Sequence, residues 1–438
     1  MAATKAKGFG FWTLTFLVVA NMLGAGVFTT SGFTLASLRS PSLVLAAWLA
    51  GGLIALCGAF SYGLLVRRHP VSGGEYAFLS RAVHPSVGFI AGWVSLLAGF
   101  SGAIAFAALA METYYLPGFF PPRMLAIAVV LIGALSHGLN RALGAGFQNA
   151  AVILKLLFLS GFLAIGTWSA ATSSWQGAAL PDPGNAGSLT LAFAQALVWI
   201  SLSYSGFNAG VYVAGEAETP AVVFRALLSG TALVTALYLM LNATFVLAPP
   251  APVIVGQADV AARAAQWIGG DGFESLIRAI IVLALFTSVL SMMMAGPRVY
   301  GRMAEDGLLP KVFIVRPDRT WPAVLLQTGM AALLILMGSV QALLGYLGLT
   351  LSICAAASVA GLFFGNPEQR VKGWSALPPA LFVLATLLSG SLLVIRDPWQ
   401  AAGTVATLIL GSLAYKISRH FRKSGPAGPS QPDQRLTP

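Results

Sequence analysis

Apolar residues run along this chain in blocks of about 20 or more, bounded by Gly, Pro and charge, rather than in the alternation of a half-buried strand. Read between those breakers, the blocks predict helices over 10–37, 41–66, 85–115, 121–139, 146–170, 190–214, 223–248, 273–302, 321–338, 341–364, 376–395 and 398–420. A straight span needs about 20 residues, so the longest of them must tilt or break inside a bilayer. The pattern predicts an all-α integral membrane protein with twelve transmembrane helices. The tail 424–438 is rich in Pro, Gly, Ser and Gln without an apolar period, and is expected to be a disordered cytoplasmic extension.

Two of the blocks carry polar, small-residue interruptions at mid-membrane depth. The first contains Asn21-Met-Leu-Gly-Ala-Gly-Val-Phe-Thr-Thr-Ser-Gly32, and the sixth contains Ser201-Leu-Ser-Tyr-Ser-Gly-Phe-Asn208. Backbone that leaves a helix within hydrocarbon costs several kcal/mol per unpaired group, so it survives where it lines a cavity or meets a ligand. If helices 1–5 (1–170) and 6–10 (190–364) are repeats, each interruption falls in the first helix of its repeat, and an odd number of spans inverts the second. Helices 11 and 12 (376–420) then stand outside that core. Open amides at the start of one half-helix attract a carboxylate, and open carbonyls at the end of another attract an ammonium, so a zwitterion fits both. The bland alternative is that Gly24 and Gly26 only let two helices pack closely.

Composition agrees with a lipid-solvated chain: 438 residues, 57% hydrophobic and 9% charged, with a mean hydropathy of +0.81. The net charge of +11 does not form a nucleic-acid-binding face, because the basic residues are scattered between apolar runs and clustered in the tail. It reads better as topology. With the N-terminus inside, alternate connections place nineteen of the 25 Lys and Arg residues on the cytoplasmic side and five on the other, leaving Lys155 within the membrane. Both termini are therefore expected to be cytoplasmic, in a multi-pass protein of the cell (plasma or inner) membrane. The first run leads into Gly and Phe rather than a cleavage site, and reads as a retained helix. Cys57 and Cys354 lie in apolar stretches and offer no disulfide framework or zinc cluster.

Four separated strings resemble the amino acid–polyamine–organocation family of transporters: GAGVF at 24–28, SGGEYAFLSRAVHPSVGFIAGW at 72–93, YSGFNAGVYVAGEAETP at 204–220 and PRVYGRMAEDGLLPKVF at 297–313. The resemblance implies a five-plus-five inverted-repeat (LeuT-like) core with broken helices 1 and 6, and alternating access around a midplane substrate. It implies a substrate carboxylate on the amides of Gly24, Ala25 and Gly26, and an amino group on carbonyls near Met22 and over Leu202, Ser203 and Tyr204. Ser205, Phe207 and Asn208 complete the candidate site. The position that usually holds a bulky gate is Leu202 here, with Tyr204 and Phe207 the neighbouring aromatics. Similar relatives that handle cations have Glu where this chain has Asn208, so a neutral amino acid is favoured.

Lys155, in AAVILKLLFLSGF, costs at least ~2.5 kcal/mol at mid-membrane unless it is paired or reaches water. The resemblance implies that its ammonium replaces the sodium ion of distant sodium-coupled transporters, with partners among carbonyls of Ala20 to Leu23 and the hydroxyls of Ser288 or Ser291. Burial favours the neutral amine, which makes proton coupling through Lys155 the working expectation against a fixed structural pin. Glu112 and His137 read as groups near the membrane rims. Glu216, Glu218 and Arg225 face the same compartment as Arg298 and Arg302 and could pair across an inner gate.

Taken together, the expectation is a secondary transporter that moves an amino acid by alternating access, with protons or by exchange. No enzyme, metal or organic cofactor is expected, and protons are the candidate coupling ion. The competing readings are an amine or polyamine exchanger and a membrane sensor that binds an amino acid without moving it.

Overall fold

The computed structural model describes residues 8–70, 74–115, 121–139, 157, 159–166, 168, 186–315, 320–364, 368 and 370–424. Among these the chain is helical, with one isolated parallel bridge between Phe9 and Ala217. Eight helices are long and apolar enough to cross a membrane, and a bent pair makes a ninth span. Met124–Ser136 and Trp321–Met337 are shorter apolar helices. The chain is a multi-pass membrane protein.

In chain order the helices are α1 (Phe11–Met22), α2 (Ala25–Leu38), α3 (Pro41–Arg68), α4 (Gly74–Ala82), α5 (Pro85–Val94), α6 (Ala103–Tyr114) and α7 (Met124–Leu139). They continue as α8 (Ala186–Tyr204), α9 (Pro220–Leu247), α10 (Ala251–Ile254), α11 (Val260–Glu305), α12 (Trp321–Met337), α13 (Val340–Ala360), α14 (Leu377–Arg396) and α15 (Pro398–Ser424). A π-helical stretch, Ser95–Gly102, joins α5 to α6 into one long span.

Several boundaries follow from local chemistry. Ser40 and Thr219 cap α3 and α9 by accepting from the amides of Leu43 and Val222, and a proline in each first turn gives up no hydrogen bond there. Ser339 caps α13 in the same way, accepting from Ala342 N. The span expected over 273–302 is longer, Val260–Glu305, with a break at Gly270 where φ is +72°. The stretch before Gly270 is interrupted by Arg263 and Gln266 and is too short to cross a bilayer, which is why the long apolar run starts only after it.

The core is built where α3 and α9 run along each other and hold α1, α2 and α8 against them. Trp48, Tyr62, Tyr204 and Tyr238 are fully buried there. The helix expected over 146–170 is described only in part, 159–166 being helical, and Lys155 lies outside the described residues.

Candidate substrate site at two helix breaks

The first span bends by 45° between α1 and α2. Leu23 leaves helical geometry (φ −72°, ψ 72°) and Gly24 is extended, so α2 starts without a side-chain cap. Its first-turn amides have no intrahelical acceptor, which makes the start of α2 a partial positive charge inside an apolar bundle. The span Gly187–Glu216 breaks after Tyr204. Gly206 takes φ +103°, a left-handed backbone that disfavours any Cβ, and the chain resumes as a 3₁₀ turn over Ala209–Glu216.

The two glycines of the first break do different work. Gly24 has open space around it, its nearest neighbour being Met22 O at 3.9 Å from a virtual Cβ. Gly26 is a packing position, because a Cβ there would lie 2.4 Å from Ser203 Oγ and 2.8 Å from Ser203 Cα. Gly206 approaches the other break equally closely, its virtual Cβ falling 2.8 Å from Asn21 O. The breaks therefore touch each other. Thr30 Oγ1 lies 3.2 Å from Ser203 Oγ and donates to Gly26 O at 2.7 Å.

Tyr238, on α9, ties the two carbonyl ends together. Its hydroxyl sits within hydrogen-bond distance of Met22 O, at the end of α1, and 3.1 Å from Ser203 O, near the end of α8. Asn242, one turn on, donates to Tyr238 O at 2.7 Å and accepts from Ser31 Oγ on α2, which in turn accepts from Trp48 Nε1 at 3.0 Å. A continuous polar chain thus runs from α3 through α2 and α9 to both breaks. Neither Tyr238 nor Asn242 was among the residues expected from sequence. The signal was present as Thr231, Thr235, Tyr238 and Asn242, one polar stripe at helical spacing in an otherwise apolar span.

Of the residues expected at the site, Met22, Gly24, Ala25, Gly26, Leu202, Ser203, Tyr204, Ser205, Phe207 and Asn208 all lie at or beside the breaks. Gly24, Ser205 and Asn208 remain half-buried, whereas Met22, Ala25, Gly26, Ser203 and Tyr204 are buried. Leu202 O is occupied locally by Ser205 N and Ser205 Oγ. Tyr204 donates to Trp48 O at 3.1 Å and packs between Trp48 and Tyr238. Phe207 makes edge contacts with Tyr62 and Phe382. Ser288 and Ser291 donate to Ala284 O and Thr287 O of their own helix. A small apolar pocket lies elsewhere, lined by Phe28, Phe162, Leu241, Phe245 and Ile277.

On the face that carries the N-terminus, Phe9 N donates to Glu216 O at 2.9 Å and Glu218 N donates to Phe9 O at 3.1 Å. The entry to α1 is thereby stitched to the end of the span Gly187–Glu216. Ion pairs among Glu216, Glu218, Arg225, Arg298 and Arg302, expected as an inner latch, are not formed among the described residues. Arg302 instead pairs with Glu305 at 3.3 Å and Asp306 at 3.6 Å, near neighbours on its own helix end that cost less side-chain entropy to reach. Tyr76 donates to Asp306 at 2.6 Å, and burial together with that carboxylate pushes its phenol above the usual tyrosine range.

The opposite face is closed over α2. Buried Asp259 accepts from Arg263 and Arg278, each at 2.7 Å, and Arg278 also pairs with Glu274 at 2.7 Å. Tyr114 donates to Phe28 O at 2.6 Å and accepts from Ala261 N, while Gly256 N donates to Gly32 O at 2.8 Å. Glu112, read from sequence as a rim carboxylate, accepts from Arg123 N and Ala126 N at the start of α7. The side chain of His137 lies outside the described residues.

Two broken spans that touch at their breaks are an architecture found in membrane transporters. The sequence comparisons agree, since residues 9–408 match the amino acid permease family and the chain belongs to it. It is 24% identical to human b(0,+)-type amino acid transporter 1, covering 93% of this chain and 86% of that one. It is 26% identical to the serine/threonine exchanger SteT of Bacillus subtilis (strain 168), over 74% of this chain and 75% of that one. Mouse solute carrier family 7 member 13 is 28% identical, over 94% and 90%.

Proposed function

We propose that this protein is a secondary transporter of neutral amino acids that works by alternating access. The observation that carries the reading is the Tyr238 hydroxyl lying on both Met22 O and Ser203 O, because it places the carbonyl ends of both breaks within reach of one small polar group. A substrate ammonium is such a group. The uncapped start of α2 offers the amides of Ala25 and Gly26 to the carboxylate of the same molecule, and Gly24 N, which donates to Met22 O at 2.7 Å, would join them by exchanging that partner. Ser205, Phe207 and Asn208 border the remaining space, with Leu202, Tyr204 and Phe207 as candidate gate residues.

The same reading takes the chain as twelve spans, with 1–170 and 190–364 as inverted repeats and 376–420 as two added helices. The face bearing Phe9 is cytoplasmic, in keeping with the basic excess of its connections, and the protein sits in the cell membrane. Asn208, a neutral amide, favours substrates without side-chain charge. Coupling is by exchange, as the name of the serine/threonine exchanger relative suggests, or by protons through Lys155 with Ser288 or Ser291 as partners.

Counterflow in proteoliposomes tests the reading. Vesicles preloaded with an unlabelled neutral amino acid should accumulate the labelled form, and polyamines should not compete. Binding without accumulation would make the protein a sensor, and competition by polyamines alone would favour the amine exchanger.

A further inference from the structure

Glu75 stands at the start of α4 and is buried, with 8% exposure. It forms no ion pair among the described residues. Its charge is met instead by three neutral donors on two other segments. Tyr62 of α3 donates to Oε1 at 2.9 Å, Tyr212 of the 3₁₀ turn donates to Oε2 at 2.8 Å, and Asn208 Nδ2 donates to Oε1. Gly74 makes this possible, since it takes φ +59° and a Cβ on it would fall 2.4 Å from the Tyr212 ring.

The chemistry of the acceptor fixes the orientation of the amide. A carboxylate can only accept, so the NH2 end of Asn208 must face Glu75, and the opposite arrangement would set two acceptors against each other. Asn208 Oδ1 receives no hydrogen bond from the described residues, and Asn208 is half-buried at the end of the break. We propose that Glu75 is a positioning residue that turns Asn208 so as to present an acceptor to the substrate, and that the transporter thereby prefers amino acids whose side chain donates a hydrogen bond, a hydroxyl above all, over apolar isosteres. This rests on the reading of the breaks as an amino acid site.

Threonine and valine are nearly isosteric and differ in that hydroxyl. Leaving a buried acceptor unpaired disfavours the analogue without the donor, and one neutral hydrogen bond is worth roughly tenfold in affinity. Competition of both against a labelled neutral substrate should therefore show threonine ahead by about that factor. In Glu75→Gln the new side chain offers both a donor and an acceptor and no longer dictates the amide, so threonine should lose more affinity than valine and their ratio should fall toward one. A merely structural loss would weaken both together. Glu75→Asp, which keeps the charge but withdraws it by one methylene, should move the ratio the same way and serves if the Gln variant does not fold. Parity of threonine and valine in the unmodified protein, or an unchanged ratio in a folded Glu75 variant, overturns the proposal. Failure of every amino acid to bind would instead overturn the transport reading beneath it.

Discussion

Gly26 lies against Ser203 so closely that a methyl group on it would come within 2.4 Å of the serine hydroxyl. The contact joins α2, the second half of the first span, to the end of α8, and so sets the distance between the two breaks. Rotating the serine hydroxyl away would not relieve the clash, because backbone Ser203 Cα is only 2.8 Å away.

Gly26→Ala should therefore push α2 from α8 at a cost of about 1–3 kcal/mol, typical of overpacking. Initial-rate uptake in proteoliposomes should fall at least tenfold, with the apparent KM rising, whereas Gly24→Ala should be milder because its surroundings are open. Equal effects of the two would show that their separate roles are misassigned.

Tyr238→Phe removes the hydroxyl shared by Met22 O and Ser203 O and leaves buried carbonyls short of a donor, a loss of about 1–3 kcal/mol. The purified protein should melt at a lower temperature, and a bound amino acid should restore more stability to the variant than to the parent, because its ammonium supplies the missing donor. Identical ligand-induced shifts in both proteins would separate Tyr238 from the site.

Asp259 holds two arginines in a partly buried cluster over α2. Asp259→Ala leaves Arg278 with a single carboxylate partner, and removing one member of a buried pair costs about 3–5 kcal/mol. Some solvent access at Arg263 lowers that figure. A thiol reagent added from that face should label a cysteine placed at Gln257 faster in the Asp259→Ala background, and unchanged labelling would mean that the cluster is not a closure.

Lys155→Ala tests the coupling expectation apart from the binding site. Uphill uptake driven by a pH gradient should be lost while exchange continues. Unaltered proton-driven uptake would leave Lys155 with a structural role.

Some span starts were legible because hydrocarbon tolerates few breakers, as at Ser40-Pro41, whereas α9 and α11 begin at Pro220 and Val260, ahead of the expected 223 and 273. The two breaks were legible for the same reason, polar and glycine-rich strings being costly at mid-membrane. Tyr238 was marked only by its place in the stripe of Thr231, Thr235 and Asn242, and its role shows once its hydroxyl is placed against carbonyls more than thirty and two hundred residues away in sequence. Glu75 escaped notice for a related reason. It stands in a short polar connection between two spans, where a carboxylate is ordinarily solvated, and only the arrival of Tyr62, Asn208 and Tyr212 makes it a buried anchor. The ion-pair latch was over-read, because charges that share a compartment need not share a contact.

The most direct measurement is thermal unfolding of the purified protein with matched ligands: a neutral amino acid, the amine left by removing its carboxylate, and the acid left by removing its amine. A ligand that binds only the folded state at a hundred times its Kd adds about 2.7 kcal/mol of apparent stability. The amino acid alone should raise the melting temperature, because amides at Gly24 to Gly26 and carbonyls at Met22 and Ser203 must be engaged together. Equal stabilisation by the amine or the acid would contradict the account.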